Sequence, residues 1–204
     1  MLPEWFVFVA AACSVVGAWS YGRDTLAGRT QPNRVTWALW GLAPMIAFAG
    51  QLSEGVGLPA LTTFMIGACP LVIFALSFAN PAAYWAIRRR DLVCLGISLA
   101  ALAGWALTRD GLLAIALALV ADFAAGLPTI VKAWRRPDTE TPTTFGATAL
   151  AAALTLASLP AWNFETVAFP LLILGVSGTI FLLVRFPTLG PGRPADAVLV
   201  PEPA

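Results

Sequence analysis

Asp122 stands at the middle of an apolar run, Gly111–Ala133, with eleven residues on either side. A carboxylate at the centre of a bilayer costs about 2.5–3.5 kcal/mol on insertion scales, so residues of this kind face a cavity or a partner. Its chemistry there would be to exchange a proton or to hold a solute. The structural alternative is an aspartic acid hydrogen-bonded to a Ser or Thr of a neighbouring helix. Gly126 and Thr129 follow at i+4 and i+7 and share the helix face of Asp122, so this face would line any pathway. Trp40 lies about one turn inside an earlier apolar run. It could offer a stacking platform, or pack against lipid or a neighbouring helix. Pro44, Pro70 and Pro128 each interrupt an apolar run, and proline removes a helix hydrogen bond and bends the helix.

Other chemistries have no residues to carry them. The chain has no His, which removes imidazole acid–base catalysis and most zinc or haem sites. Cys13, Cys69 and Cys94 lie in apolar runs without metal-ligand spacing, and they read as small packing residues. Neither a Gly-rich phosphate loop nor a carboxylate pair is visible, so the chain is not expected to be an enzyme or to need a metal or cofactor. A net charge of +1 and the lack of an aromatic-interleaved basic patch argue against nucleic acid as a partner.

These residues must be positioned by membrane helices. Hydrophobic residues make up 59% of the chain and charged residues 11%, less than half the usual charged share of a soluble domain. A span needs roughly 17–25 apolar residues. The stretches that qualify run near Trp5–Tyr21, Val35–Gln51, Leu58–Ala79, Leu92–Thr108, Gly111–Ala133, Thr143–Leue159 and Val167–Phe186.

 The sixth of these, Thr143–Leu159, is the shortest together with the first, second and fourth. Arg23, Arg29 and Arg34 fill the first gap between spans, Arg88, Arg89 and Arg90 the third, and Lys132, Arg135 and Arg136 the fifth, while Arg185 and Arg193 follow the last span. The remaining gaps hold Glu54, Arg109 with Asp110, and Glu165. Basic residues mark cytoplasmic loops, which predicts an outer N-terminus and an inner C-terminus. Tryptophans fit interfacial belts, with Trp5, Trp105 and Trp162 near outer ends and Trp19, Trp37, Trp85 and Trp134 near inner ends. The tail over 188–204 is rich in Pro and Gly and reads as disordered. Short loops and richness in Ala and Arg suggest a bacterial inner membrane.

The layout repeats. A shift of 108 residues aligns Thr36-Trp37 with Thr144-Phe145, each opening a span after a basic, Pro-containing linker. Residues 1–86 and 111–187 then form two three-span halves, joined by a linker helix in 87–110. The linker restores direction, so the halves are parallel repeats, an arrangement that places a solute site between them. Gly96, Ala100 and Gly104 in the linker helix follow small-xxx-small spacing, which predicts close helix packing and also suits a homo-oligomer seam. Asn33 and Arg34 are candidates for an inner gate with Asp24, and Arg88-Arg89-Arg90 for a topology anchor that touches lipid head groups.

The segment Leu127-Pro128-Thr129-Ile130-Val131-Lys132-Ala133-Trp134-Arg135-Arg136 resembles the motif of the PQ-loop heptahelical membrane proteins, which include the SWEET sugar facilitators and the lysosomal cystine exporter. Thr129 stands where that motif has Gln, and Ser20 is the aligned position in the first half. The resemblance implies an all-α integral membrane protein with seven transmembrane helices in a 3+1+3 arrangement. It also implies Pro44 and Pro128 as hinges for alternating access, and its proton-coupled branch supports a coupling role for Asp122. The expectation is a small-solute transporter whose partners are membrane lipid, a small molecule and protons. The alternative is a non-transport heptahelical protein, a receptor or assembly partner, on the same scaffold. A retinal protein is excluded because the one lysine, Lys132, lies at a cytoplasmic edge rather than in the last span.

Overall fold

A computed structural model describes residues 2–81, 83, 89–108 and 110–189. The chain is helical, and no strand occurs among the described residues. Helix α1 spans Phe6–Leu26, α2 Arg34–Ser53, α3 Ala60–Ser77, α4 Arg89–Thr108, α5 Gly111–Arg135, α6 Pro142–Ser158 and α7 Phe164–Arg185. Short 3-10 turns cover Pro137–Thr139 and Pro187–Leu189. Helices α1, α2, α3, α5 and α7 are long and apolar enough to cross a membrane, which marks the chain as an integral membrane protein.

Local chemistry sets the helix ends. Asn33 accepts from the Val35 amide at 3.1 Å and Asp110 from the Leu113 amide at 3.0 Å. Asn163 and Thr166 form a reciprocal capping box at the start of α7. Helix α1 runs five residues past the predicted end at Tyr21, because backbone hydrogen bonding continues where the apolar run stops. Arg23 sits in its last turn, where a cation suits the helix dipole. The chain turns away at Gly28, whose φ of 69° is left-handed. Pro44, Pro70 and Pro128 lie inside continuous helices, as does Pro170 in α7, a proline with no counterpart in the sequence expectations.

The packing has an exchange symmetry. Helix α1 packs on α3 and α6, and α5 packs on α7 and α2; α2 packs on α3 as α6 packs on α7. Replacing α1, α2 and α3 by α5, α6 and α7 reproduces the principal pairs. Helix α4 lies outside this scheme, against α5 and more lightly α2. Glycines allow the closest crossings. A Cβ on Gly50 would stand 2.9 Å from the Gly111 carbonyl oxygen, and one on Gly111 would stand 2.7 Å from that of Gly50. The two helices meet there backbone to backbone. Gly111→Ala is therefore expected to lower stability by about 1–3 kcal/mol, read as a lower melting temperature of the purified protein. An unchanged value would show that the α2–α5 contact is looser than described.

Polarity is distributed as lipid solvent requires. Phe8, Val16, Trp19, Val72 and Leu171 are exposed, while Ser14, Thr62, Thr63, Thr144, Thr155 and Ser177 are buried. Two predictions need correction. Trp37 does not join an interfacial belt; it is 5% exposed, packed among Tyr21, Trp40 and Phe145. Gly96 and Ala100 are exposed, and a Cβ on Gly96 would meet nothing within 4 Å. Their spacing serves no close packing among the described residues, whereas Gly104 does approach Leu113 of α5. Thr188 and Leu189 of the predicted disordered tail belong to the second 3-10 turn. The tail beyond them, Trp85, Arg88 and Arg109 lie outside the described residues, as do the side chains of Arg90, Cys94 and Trp105.

Candidate functional site

The two apolar clusters of the core meet at a cavity of about 60 Å³. Its wall comes from α1, α2, α3, α5, α6 and α7, and α4 contributes nothing to it. A site that holds one water needs roughly 10–15 Å³ by this measure, so the cavity has room for several waters or a small solute. A shallower apolar groove between α5 and α7, lined by residues such as Phe123 and Leu171, carries no titratable group.

Asp122 is in the cavity wall, 1% exposed, and neither carboxylate oxygen has a hydrogen-bond partner. The structural alternative, an aspartic acid bonded to a hydroxyl of a neighbouring helix, is not what the geometry shows. Nearby hydroxyls are committed elsewhere. Ser14 donates to the Ala10 carbonyl at 3.3 Å, Thr144 to that of Gly17 at 2.9 Å, and Thr148 to that of Thr144 at 2.9 Å. Buried polar groups without partners are costly, so a sequence that retains one invites a functional reading.

The wall is assembled from matching positions of the two halves. Ser14 and Asp122 are 108 residues apart, as are Trp37 and Phe145, Trp40 and Thr148, Met65 and Ile173, and Cys69 and Ser177, and every one of them lines the cavity. The halves thus supply equivalent positions with unequal chemistry. Asp122 in the second half faces the space opposite a hydroxyl, Ser14, in the first.

Of the predicted site residues, Asp122 and Trp40 share the cavity. Gly126 lies beneath Trp40: a Cβ there would meet the indole at 3.6 Å and Val176 at 3.2 Å. Its role is to let the indole lie against α5. Thr129 is buried but is not in the wall, and neither are Pro44 and Pro128. Pro70, expected to be merely structural, does line the cavity. Sequence reasoning passed it over because proline is frequent in membrane helices.

Toward the basic linkers the cavity is covered by an aromatic layer. The Tyr21 and Trp37 rings are 4.6 Å apart, Trp37 and Trp40 5.4 Å, and Trp40 and Phe145 6.3 Å. Beyond this layer the Tyr21 hydroxyl donates to Glu140 Oε2 at 3.0 Å, and Lys132 Nζ lies 2.6 Å from Glu140 Oε1. Lys132 also donates to the Gln31 carbonyl at 2.8 Å. Burial pushes the Glu140 carboxyl above its ordinary value, against the pull of Lys132 and of the Tyr21 hydroxyl. This network ties the α5–α6 linker to the α1–α2 linker. Thr141 strengthens the tie by donating to Asp24 Oδ2 at 2.9 Å.

Comparison with protein-family models, with curated proteins and with solved structures gives no match.

The inner gate expected of Asn33, Arg34 and Asp24 is a different assembly. Asn33 caps α2, Arg34 donates to the Ser77 carbonyl at 3.0 Å and lies over the Phe78 ring, and Asp24 pairs with Arg29. The linker-to-linker contacts fall to Lys132, Glu140 and Thr141 instead. A sequence signal existed in Glu140, an acid in a basic linker, but its partner Tyr21 lies 119 residues away.

Proposed function

We propose that this chain is a small-solute membrane transporter of the PQ-loop type, with seven membrane spans in a 3+1+3 arrangement, and that Asp122 couples the solute to protons. The unpartnered, buried carboxylate of Asp122 in a cavity between the helices of two matching sets carries this reading. The exchange symmetry of the packing supports two three-helix halves, and the absence of α4 from the cavity wall supports its role as a linker. The alternating basic gaps support an outer N-terminus and inner C-terminus. On this reading the aromatic layer and the Lys132–Glu140 pair close the cytoplasmic end, and solute release requires their separation. Pro44 and Pro128 remain the proposed hinges.

The test is flux in proteoliposomes carrying an internal pH indicator, challenged in turn with amines, amino acids, sugars and nucleosides. Proton movement that accompanies one solute class supports coupled transport. Solute flux without proton movement would leave a facilitator and remove the coupling role. No flux for any class, together with a stable protein partner recovered from the native membrane, would favour the receptor or assembly scaffold.

A further inference from the structure

The wall of the cavity specifies the charge of its occupant. Among the residues that line it, Asp122 is the one carboxylate, and no Lys or Arg accompanies it. The hydroxyl protons of Ser14, Thr144 and Thr148 are held by backbone carbonyls, so these oxygens face a ligand as acceptors. The indole nitrogen of Trp40 lies against α5, 3.7 Å from the place of a Gly126 Cβ. The polar lining is therefore dominated by acceptors. A sugar presents donors and acceptors together and would leave its acceptors unmatched, which is costly in a buried site. A carboxylate or phosphate would meet Asp122 with like charge. An ammonium group carries donors, no acceptor, and a positive charge. Aromatic rings complete the match, since Trp37, Trp40 and Phe145 share the wall and the π faces of such rings attract cations.

We infer that the cavity binds a small organic ammonium ion, its cationic nitrogen against the Asp122 carboxylate and its alkyl groups against the rings of Trp37, Trp40 and Phe145. This names the solute class for the transporter proposed above and rests on that reading for its transport role. Binding itself needs only the cavity.

The experiment is thermal stability and calorimetric titration of the full-length purified protein with methylammonium and tetramethylammonium. tert-Butanol serves as an uncharged comparator and glucose as a polyol. A ligand bound to the native state raises apparent stability by mass action. The expected result is stabilisation by at least one ammonium ion and none by tert-butanol or glucose. Asp122→Asn is expected to weaken ammonium binding at least about thirty-fold while still unfolding cooperatively. Trp40→Leu is expected to weaken tetramethylammonium by about three- to thirty-fold. Equal stabilisation by tert-butanol, undiminished ammonium binding in Asp122→Asn, or no ammonium effect at tens of millimolar would each overturn the inference. Ammonium binding without flux would sink the transport reading and leave this site. Flux of a sugar without ammonium binding would do the reverse.

Discussion

Asp122→Asn is expected to lose solute flux and its pH dependence while melting no lower than the wild-type protein. The two effects have one cause. Neither oxygen of Asp122 has a hydrogen-bond partner and the residue is 1% exposed, so the charge gains nothing from the fold that would offset its desolvation. Asparagine keeps the shape and removes that cost, which leaves stability equal or higher. Function moves the other way. Removing one member of a buried charge pair costs about 2–5 kcal/mol, or roughly 30- to 4,000-fold in affinity, and the partner here is the bound cation. Such an opposition of stability and activity is typical of residues kept for function. Flux in proteoliposomes at several pH values and a melting curve of the same preparation check both halves. A variant that melts well below wild type would show that Asp122 is a packing residue.

Lys132→Met should have the largest effect on stability. It leaves Glu140 buried, with a side chain 2% exposed and its close cationic partner gone. Breaking a buried pair from one side costs about 3–5 kcal/mol, a fall in melting temperature of about 6–20 °C for a chain of this size. Lys132→Met with Glu140→Gln is expected to recover most of that loss, since glutamine can still accept from Tyr21 without a charge to desolvate. A single variant that melts like wild type would show that solvent already reaches the pair.

The pH dependence follows from the direction of the Glu140 shift. Burial holds its folded-state value above the ordinary 4.5, with Lys132 and Tyr21 opposing. The folded protein then binds this proton more tightly than the unfolded chain. The corresponding stability is fully present below about 4.5 and is lost as pH rises through the raised value. Without Lys132 the value rises further, so the gap between Lys132→Met and wild type should widen from acid to neutral pH. Melting curves across that range measure it, and a gap independent of pH would separate the destabilisation from Glu140.

Much of the site was legible because membrane composition constrains it strongly. A carboxylate inside an apolar run is conspicuous, and its spacing from Gly126 and Thr129 placed all three on one helix face. Yet the three have different surroundings: Asp122 faces the cavity, Gly126 seats an indole, and Thr129 is buried elsewhere. Helical periodicity gives a direction around one axis, not the neighbour found in that direction. The same limit misplaced Trp37, whose position near a helix end suits an interfacial belt until Tyr21 and Phe145 are seen to enclose it. It also left the Tyr21–Glu140–Lys132 network unseen, since its members come from two linkers far apart in sequence.

The sequence by itself determined the solvent of this protein, its helices, the offset of 108 residues between its halves, and the buried acid. Those properties follow from composition and local spacing, which act along the chain. The tertiary structure decided that the acid has no partner, that matching positions of the two halves meet around one cavity, and that a buried ion pair joins the linkers beyond it. These depend on which helices pack together, and that is settled by side-chain fit between segments more than a hundred residues apart.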